Sequence, residues 1–277
     1  DWLAAMCHPD GEIGLFNDAA FGIASAPIEL ERYANDLALA PPARAQVGVT
    51  RLTQSGYMRV EQGEMVALLD VAPVGPDYLP GHAHADTLSF ELSVFGQRVL
   101  VNSGTSCYGM SLERLRQRET AAHNTVVVDG QSSSEVWASF RVARRARPLG
   151  LQIMREGGVK VVCSHNGYRR LPGKPMHTRQ WLFLNKSLVV EDRVSGRFGH
   201  GEARFHLHPR VTLEAHAGGV TGRLGLKNGL HLTWLVEMGE LVIDESVYHP
   251  RFGISEPAHC LVLHLRDGGS RIKFDWA

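Results

Sequence analysis

From about Ala45 to the C-terminus the chain is a succession of short β-rich segments cut by turn residues, and this punctuation limits the possible folds more than any other feature. Gln46–Leu52, Tyr57–Val60 and Met65–Asp70 alternate apolar and polar residues, the period of a strand with one buried face. Ser89–Phe95, Val99–Asn102, Thr125–Val128, Leu151–Met154, Lys160–Ser164, Thr178–Leu184, Ser187–Asp192, Ala203–Leu207, Leu230–Leu235, Glu240–Asp244 and Cys260–Leu265 are similarly rich in β-branched and aromatic residues. Between them stand turn formers such as Phe95-Gly96, Asp129-Gly130, Gly157-Gly158, Asn185-Lys186 and Asp267-Gly-Gly269. Short strands with turn signals about every 8–12 residues predict an antiparallel sandwich or barrel. No G-x-G-x-x-G opens a helix, so a dinucleotide fold is not indicated.

The first 44 residues differ. Pro27 suits the first position of a helix, and Ile28, Leu30, Tyr33, Ala34 and Leu37 continue at helical spacing. The prolines of Leu39-Ala-Pro-Pro-Ala43 end that pattern. One short helix buries little, so the segment is expected to dock on something else. The chain opens on Asp1-Trp2-Leu3 without an initiator Met, which suggests a piece of a longer protein.

Charge narrows the function. Lys plus Arg and Asp plus Glu both total 29, which argues against nucleic-acid binding driven by bulk charge. No apolar run approaches the roughly 20 residues of a membrane helix. Cys7, Cys107, Cys163 and Cys260 form no C-x-x-C pair, so a thiolate zinc site is not expected and free thiols are the better reading than disulfides. Fourteen histidines raise the prospect of metal or proton chemistry.

The chemistry concentrates in Gly81-His-Ala-His-Ala-Asp-Thr-Leu-Ser-Phe-Glu-Leu92. Read as a strand, this stretch puts His82, His84 and Asp86 on one face. Three such groups together are costly unless they bind a metal or meet substrate. Two further segments join it: Val99-Leu-Val-Asn-Ser-Gly-Thr-Ser-Cys-Tyr108, and Arg118-Glu-Thr-Ala-Ala-His-Asn-Thr-Val-Val-Val-Asp-Gly130 with His123 and Asn124 at a strand head.

With these motifs in view, the chain resembles the C-terminal half of the heparinase II/III-like polysaccharide lyases. Asp10-Gly-Glu-Ile-Gly-Leu-Phe-Asn-Asp18, Glu135-Val-Trp137, Phe140-Arg-Val-Ala-Arg-Arg-Ala-Arg-Pro148, His177-Thr-Arg-Gln-Trp181 and Phe205-His-Leu-His-Pro209 extend the likeness over nearly the whole chain. The resemblance implies an all-β fold, a large antiparallel β-sandwich over residues 45–277. Residues 1–44 would then be the tail of an α/α toroid and a linker. It implies β-elimination on a uronate-containing acidic polysaccharide, with the chain inactive without its N-terminal toroid. By position, His82 would face substrate as the catalytic histidine, and His84, Asn102 and His123 would hold a structural divalent metal, zinc by donor type. Asn102 departs from the family's usual Asp. An amide is a weaker ligand than a carboxylate, so the site would bind zinc less tightly or stay empty. Tyr108, Asn17 and Arg118 would contact substrate. In the family the toroid supplies a tyrosine and an asparagine to the site, and neither is assigned to a residue of this sequence.

Blander readings stand beside these. Tyr108 can be a tethered buried tyrosine, Asn102 a turn residue, and Phe16-Asn17-Asp18 a local cap. Of Arg114, Arg116 and Arg118, at least two are expected on a solvated helix face. Arg141, Arg144, Arg145 and Arg147 read as strand-surface charges, and His177, His206 and His208 as structural. Two other functions remain open: a non-catalytic glycan-binding or structural sandwich, and a non-haem iron oxygenase built on His84, Asp86 and His123.

Overall fold

The computed structural model describes residues 2–39, 47–216 and 218–277. Two short helices come first, α1 at Trp2–Ala5 and α2 at Pro27–Asp36. Pro27 takes the first turn of α2, as its fixed φ suggests, and the Glu29 carboxylate accepts the Ala26 N–H at 2.9 Å. Only Pro27 of this helix is buried; Ile28, Leu30 and Tyr33 face outward. The proline stop at residues 41–42, the start of the first expected strand at Gln46 and the boundary between residues 44 and 45 lie outside the described residues.

The strands then run in chain order. β1 (Gly48–Leu52), β2 (Tyr57–Gln62), β3 (Met65–Asp70), β4 (Phe90–Val94) and β5 (Gln97–Leu100) form an antiparallel meander. Helix α3 (Leu112–Arg118) precedes β6 (Val126–Val128), and β7 (Glu135–Trp137) pairs with β8 (Arg141–Ala143). β9 (Pro148–Met154), β10 (Val159–His165), β11 (Met176–Leu184), β12 (Ser187–Ser195) and β13 (Gly201–His206) follow. β14 (Thr212–Ala215), β15 (Thr221–Gly225), β16 (His231–Met238), β17 (Glu240–Tyr248), β18 (Glu256–His264) and β19 (Gly269–Trp276) complete the chain.

The large sheet has the order β14-β15-β16-β19-β12-β11-β10-β9, and a four-stranded sheet has β17-β18-β13-β6. A bridge between Leu100 and Leu207 ties the meander to the four-stranded sheet. One core lies between these layers: Phe90 of β4 meets Trp181 of β11 and Phe205 of β13 edge-on, each at 6.3 Å between centroids, and Phe205 meets Phe274 of β19 at 5.8 Å. Each such buried side chain contributes about 1.5–3 kcal/mol. The fold is an antiparallel β-sandwich, one of the two architectures the strand pattern allows and the one the family resemblance implies.

One local expectation fails. Residues 81–89 are not a strand; β4 begins at Phe90. Ala83 N–H bonds to the Pro80 carbonyl at 3.0 Å and Ser89 N–H to the Asp86 carbonyl at 2.8 Å, closing two turns, and Leu88 is left-handed at φ 63°. The alternation of His, Ala and Asp imitates a strand, but consecutive turns decide where each side chain goes.

Candidate active site

The loop presents its two histidines to one carboxylate, supplied from 64 residues upstream. Asp18 Oδ2 accepts His82 Nδ1 at 2.8 Å, and Asp18 Oδ1 accepts His84 Nε2 at 2.8 Å. Arg114 of α3 closes on the same carboxylate as a fork, with Nη2 on Oδ2 at 2.8 Å and Nη1 on Oδ1. Burial alone would raise the Asp18 pKa, but the bonds from His84 and Arg114 more than offset it and hold the carboxyl well below its usual range. Asp18 is therefore an anion gathering one exposed histidine, one buried histidine and one buried arginine.

The two histidines differ in exposure, which separates their roles. The His82 side chain is 63% exposed, whereas that of His84 is fully buried. Asp18 fixes the His82 proton on Nδ1 and turns Nε2 outward. Around His82 stand Tyr108, 5.8 Å away between ring centroids, and Phe140, at 5.5 Å; Phe252 packs on Tyr108 at 4.6 Å. Beneath them the Arg114 guanidinium lies over the Tyr108 and Phe140 rings at 5.1 and 5.3 Å. Burial, then the Asp18 charge, raise the Tyr108 pKa, so its hydroxyl keeps its proton at neutral pH.

His84 leads inward. Its Nδ1 stands 3.3 Å from His123 Nε2, and His123 Nδ1 stands 3.3 Å from Asn102 Oδ1. Burial, with His84 and His206 nearby, pushes the His123 pKa well below normal; burial also lowers that of His84 against the pull of Asp18. Both imidazoles are neutral. Since ionised Asp18 accepts the hydrogen bond from His84 Nε2–H, Nδ1 offers a lone pair toward His123. With His123 Nδ1–H donating to Asn102, two lone pairs face each other, an arrangement that a cation would bridge with these two imidazoles as its protein ligands. Two tetrahedral zinc ligands stand about 3.3 Å apart, given bonds of roughly 2.0–2.1 Å, so the pair fits that ion. Without a metal, a proton on His123 Nε2 closes the chain, provided the Asn102 amide turns to donate from Nδ2, which otherwise has no partner. In either case Asn102 lies on the far side of the His123 ring from His84, not between the imidazoles where a third ligand would sit.

Other expected residues support the site from behind. Asn17, left-handed at φ 53°, accepts the His84 N–H at 3.1 Å and donates to the Tyr57 hydroxyl at 2.8 Å, so both ends of its amide are engaged within the protein. Arg118 is fully buried: Nη2 donates to the Ala83 carbonyl at 2.9 Å, between the two histidines, and Ala85 N–H returns a bond to the Arg118 carbonyl at 2.9 Å. This placement makes Arg118 a clamp on the loop. The solvated face expected for at least two of the three arginines is overturned, because the four-residue spacing of Arg114 and Arg118 puts both on the inward side of α3 while Leu112 faces solvent. Asp86 does not project with the histidines. It accepts Asn17 N–H at 3.4 Å and lies near Asp70; burial raises it to about 7, and burial with the Asp86 charge raises Asp70 well above normal. Among the described residues, His84, Asp86 and His123 are not drawn together as an iron triad.

His177 is structural, as expected, and bonds Asp192 at 2.7 Å. Asp192 also holds Arg179 in a fork at 2.7 and 2.9 Å, and Arg179 Nη1 reaches the Leu88 carbonyl at 3.0 Å and that of Asn124. One buried guanidinium thus ties the end of the histidine loop to the strand head bearing His123. Sequence reasoning named Asp18 only within a local cap, counted Arg114 among arginines expected mostly on a solvated face, and gave no role to Phe140 or Phe252; only the unusual polarity of Asn17-Asp18 after an apolar run hinted at the site.

The family description "Heparinase II/III-like, C-terminal" matches residues 45–276. The chain belongs to the heparinase II/III-like family. That family is one of polysaccharide lyases. The domain superimposes on a heparan sulfate lyase, HepC, from Pedobacter heparinus with a TM-score of 0.77 at 16% identity, covering 98% of this chain and 45% of that one. It resembles two heparinase III structures at TM-scores of 0.76 and 0.75, with identities of 15% and 16%; 99% of this chain is covered in both, and 47% and 44% of theirs. These likenesses concern the fold. The heparinase II/III-like domain described here spans less than half the length of those chains. No curated protein matches it in sequence.

Proposed function

We propose that this domain forms the sandwich wall of the active-site cleft in a lyase that cleaves uronate-containing acidic polysaccharide by β-elimination. The observation that carries this reading is the Asp18–His82 dyad, in which a buried carboxylate holds Nδ1 at 2.8 Å and leaves an exposed imidazole Nε2 facing outward among aromatic rings. That is the form of a general base. His82 Nε2 takes the proton on the carbon beside the uronate carboxylate. The electron pair left behind forms the new carbon–carbon double bond, the glycosidic carbon–oxygen bond breaks, and the departing oxygen receives a proton from an acid. Tyr108 and Phe140 offer faces on which a sugar ring can stack. Asn17 and Arg118 act on substrate only through the loop they hold.

The residues that would hold a divalent ion, zinc by donor type, are His84 and His123, with Asp18 and Asn102 fixing their outer nitrogens. Its chemistry would be structural, locking the histidine loop to the head of β6. The missing acid and the groups neutralising the substrate carboxylate would come from a preceding helical domain. The apolar residues exposed along the N-terminal segment, Trp2, Ile23, Ile28, Leu30, Tyr33 and Leu37, support docking there.

The test is release of unsaturated, ultraviolet-absorbing product from heparinoids, alginate-like uronans and bacterial exopolysaccharides, using protein that includes the upstream sequence. Turnover of at least one uronan is expected, with none by the 277-residue chain alone. Binding without turnover by the longer protein would instead identify a glycan-binding module.

A further inference from the structure

A second histidine cluster lies at the other end of β6 from His123. His200, just before β13, stands with Nε2 3.2 Å from Nδ1 of His264 on β18, and Oε2 of Glu202 is 3.7 Å from the same His200 nitrogen. The potential ligand atoms of all three lie within 4.8 Å of one another. We propose that His200, Glu202 and His264 form a binding site for a divalent transition metal, zinc in the first instance.

The three side chains are brought together by sheet register and held by neighbours. Glu202 and His264 are direct cross-strand partners, so they share the outer face of the sheet. The backbone of His200 is fixed by Asp129, whose Oδ1 accepts both the Gly199 and His200 N–H groups at 2.8 Å. Arg204 donates Nε and Nη2 to Oε1 of Glu202, at 2.8 and 2.6 Å. That fork orients the carboxylate and leaves Oε2, the oxygen facing His200, without a donor from Arg204. Two imidazole nitrogens at 3.2 Å match the spacing of tetrahedral zinc ligands, and an imidazole–imidazole–carboxylate set suits zinc rather than calcium or magnesium. Glu240 of β17, the register partner of His264 on its other side, lies on the same face of the sheet. A metal here would pin the 196–200 turn to β18 and is independent of the lyase chemistry.

The experiment is a calorimetric titration of the chain with zinc alone, beside a His200→Ala/His264→Ala double variant. Wild type should bind one more equivalent than the double variant, and Glu202→Gln should weaken that equivalent by at least about tenfold, the scale on which even an outer-shell partner acts. Equal stoichiometry and affinity in wild type and the double variant would overturn the proposal. Should the double variant misfold, imidazole ¹⁵N shifts of His200 and His264 in wild-type protein decide the matter. Zinc should move both, and unmoved resonances would overturn the site.

Discussion

Replacing Asp18 with Asn should be among the most costly single changes in the domain. Asp18 accepts bonds from His82, His84 and both terminal nitrogens of Arg114, and its side chain is only 5% exposed. The amide keeps one acceptor oxygen and sets an NH₂ group against donors. Arg114, fully buried, then carries a charge with no counter-ion. Breaking a buried pair from one side costs about 3–5 kcal/mol. For a domain of this size that corresponds to a fall in Tm of roughly 5–10 °C. Arg114→Leu in the same background removes the orphaned charge, so the double variant should be more stable than the sum of the two single losses implies, with a coupling of about 2 kcal/mol or more. Urea unfolding of the four proteins in the cycle measures this. A loss below about 1 kcal/mol for Asp18→Asn, or strict additivity, would refute the idea that Asp18 is the charge hub of the site.

Other consequences follow from the same geometry. Asn102→Asp should tighten zinc binding by about tenfold or more, through a more basic His123, as read by competition with a chromogenic chelator. Arg114→Lys should behave as a damaging change, because an ammonium can neither fork onto Asp18 nor stack between Tyr108 and Phe140; a lowered Tm is expected. The buried histidines favour their neutral forms in the fold, and burial takes His206 from 6.5 to about 3. Their contribution is complete above about pH 6.5 and is lost as pH falls toward 3, a matter of several kcal/mol, so denaturant midpoints should drop steeply over that range. Asp86 has the opposite sign. Its pKa is raised from 3.8 to about 7, so stability from the neutral acid is lost as pH rises between those values, and Asp86→Asn should be more stable than wild type at about pH 8.

Much of the sandwich was legible because the core strands carry their own period: Met176–Leu184 alternates strictly between partly buried and buried residues. β14 and β15 were missed because β14 is mostly exposed and β15 carries Gly222 at its second position. β19 carries the same period, with Ser270, Ile272, Phe274 and Trp276 inward, but the Gly268-Gly269 pair at its start reads as a turn and masks the strand. The site was legible as a set of residue types but not as a geometry. Period two assigned His82, His84 and Asp86 to one face, whereas turns carry the histidines to Asp18 and the acid to Asp70. Asp18 and Arg114 lie 96 residues apart, and no local pattern pairs them. Nor does any propensity rule anticipate a helix with arginines inside and Leu112 outside; the buried anion decides it.

The central claim is that His82, oriented by Asp18, moves the proton in a polysaccharide lyase. It is tested most directly by the turnover of His82→Ala in protein that includes the upstream sequence, on whichever uronan the wild type cleaves. Loss of a general base costs about 10²–10⁴-fold, so kcat should fall by at least about 100-fold with stability little changed, since His82 is largely exposed. Unsaturated product formed by His82→Ala at the wild-type rate would contradict the account.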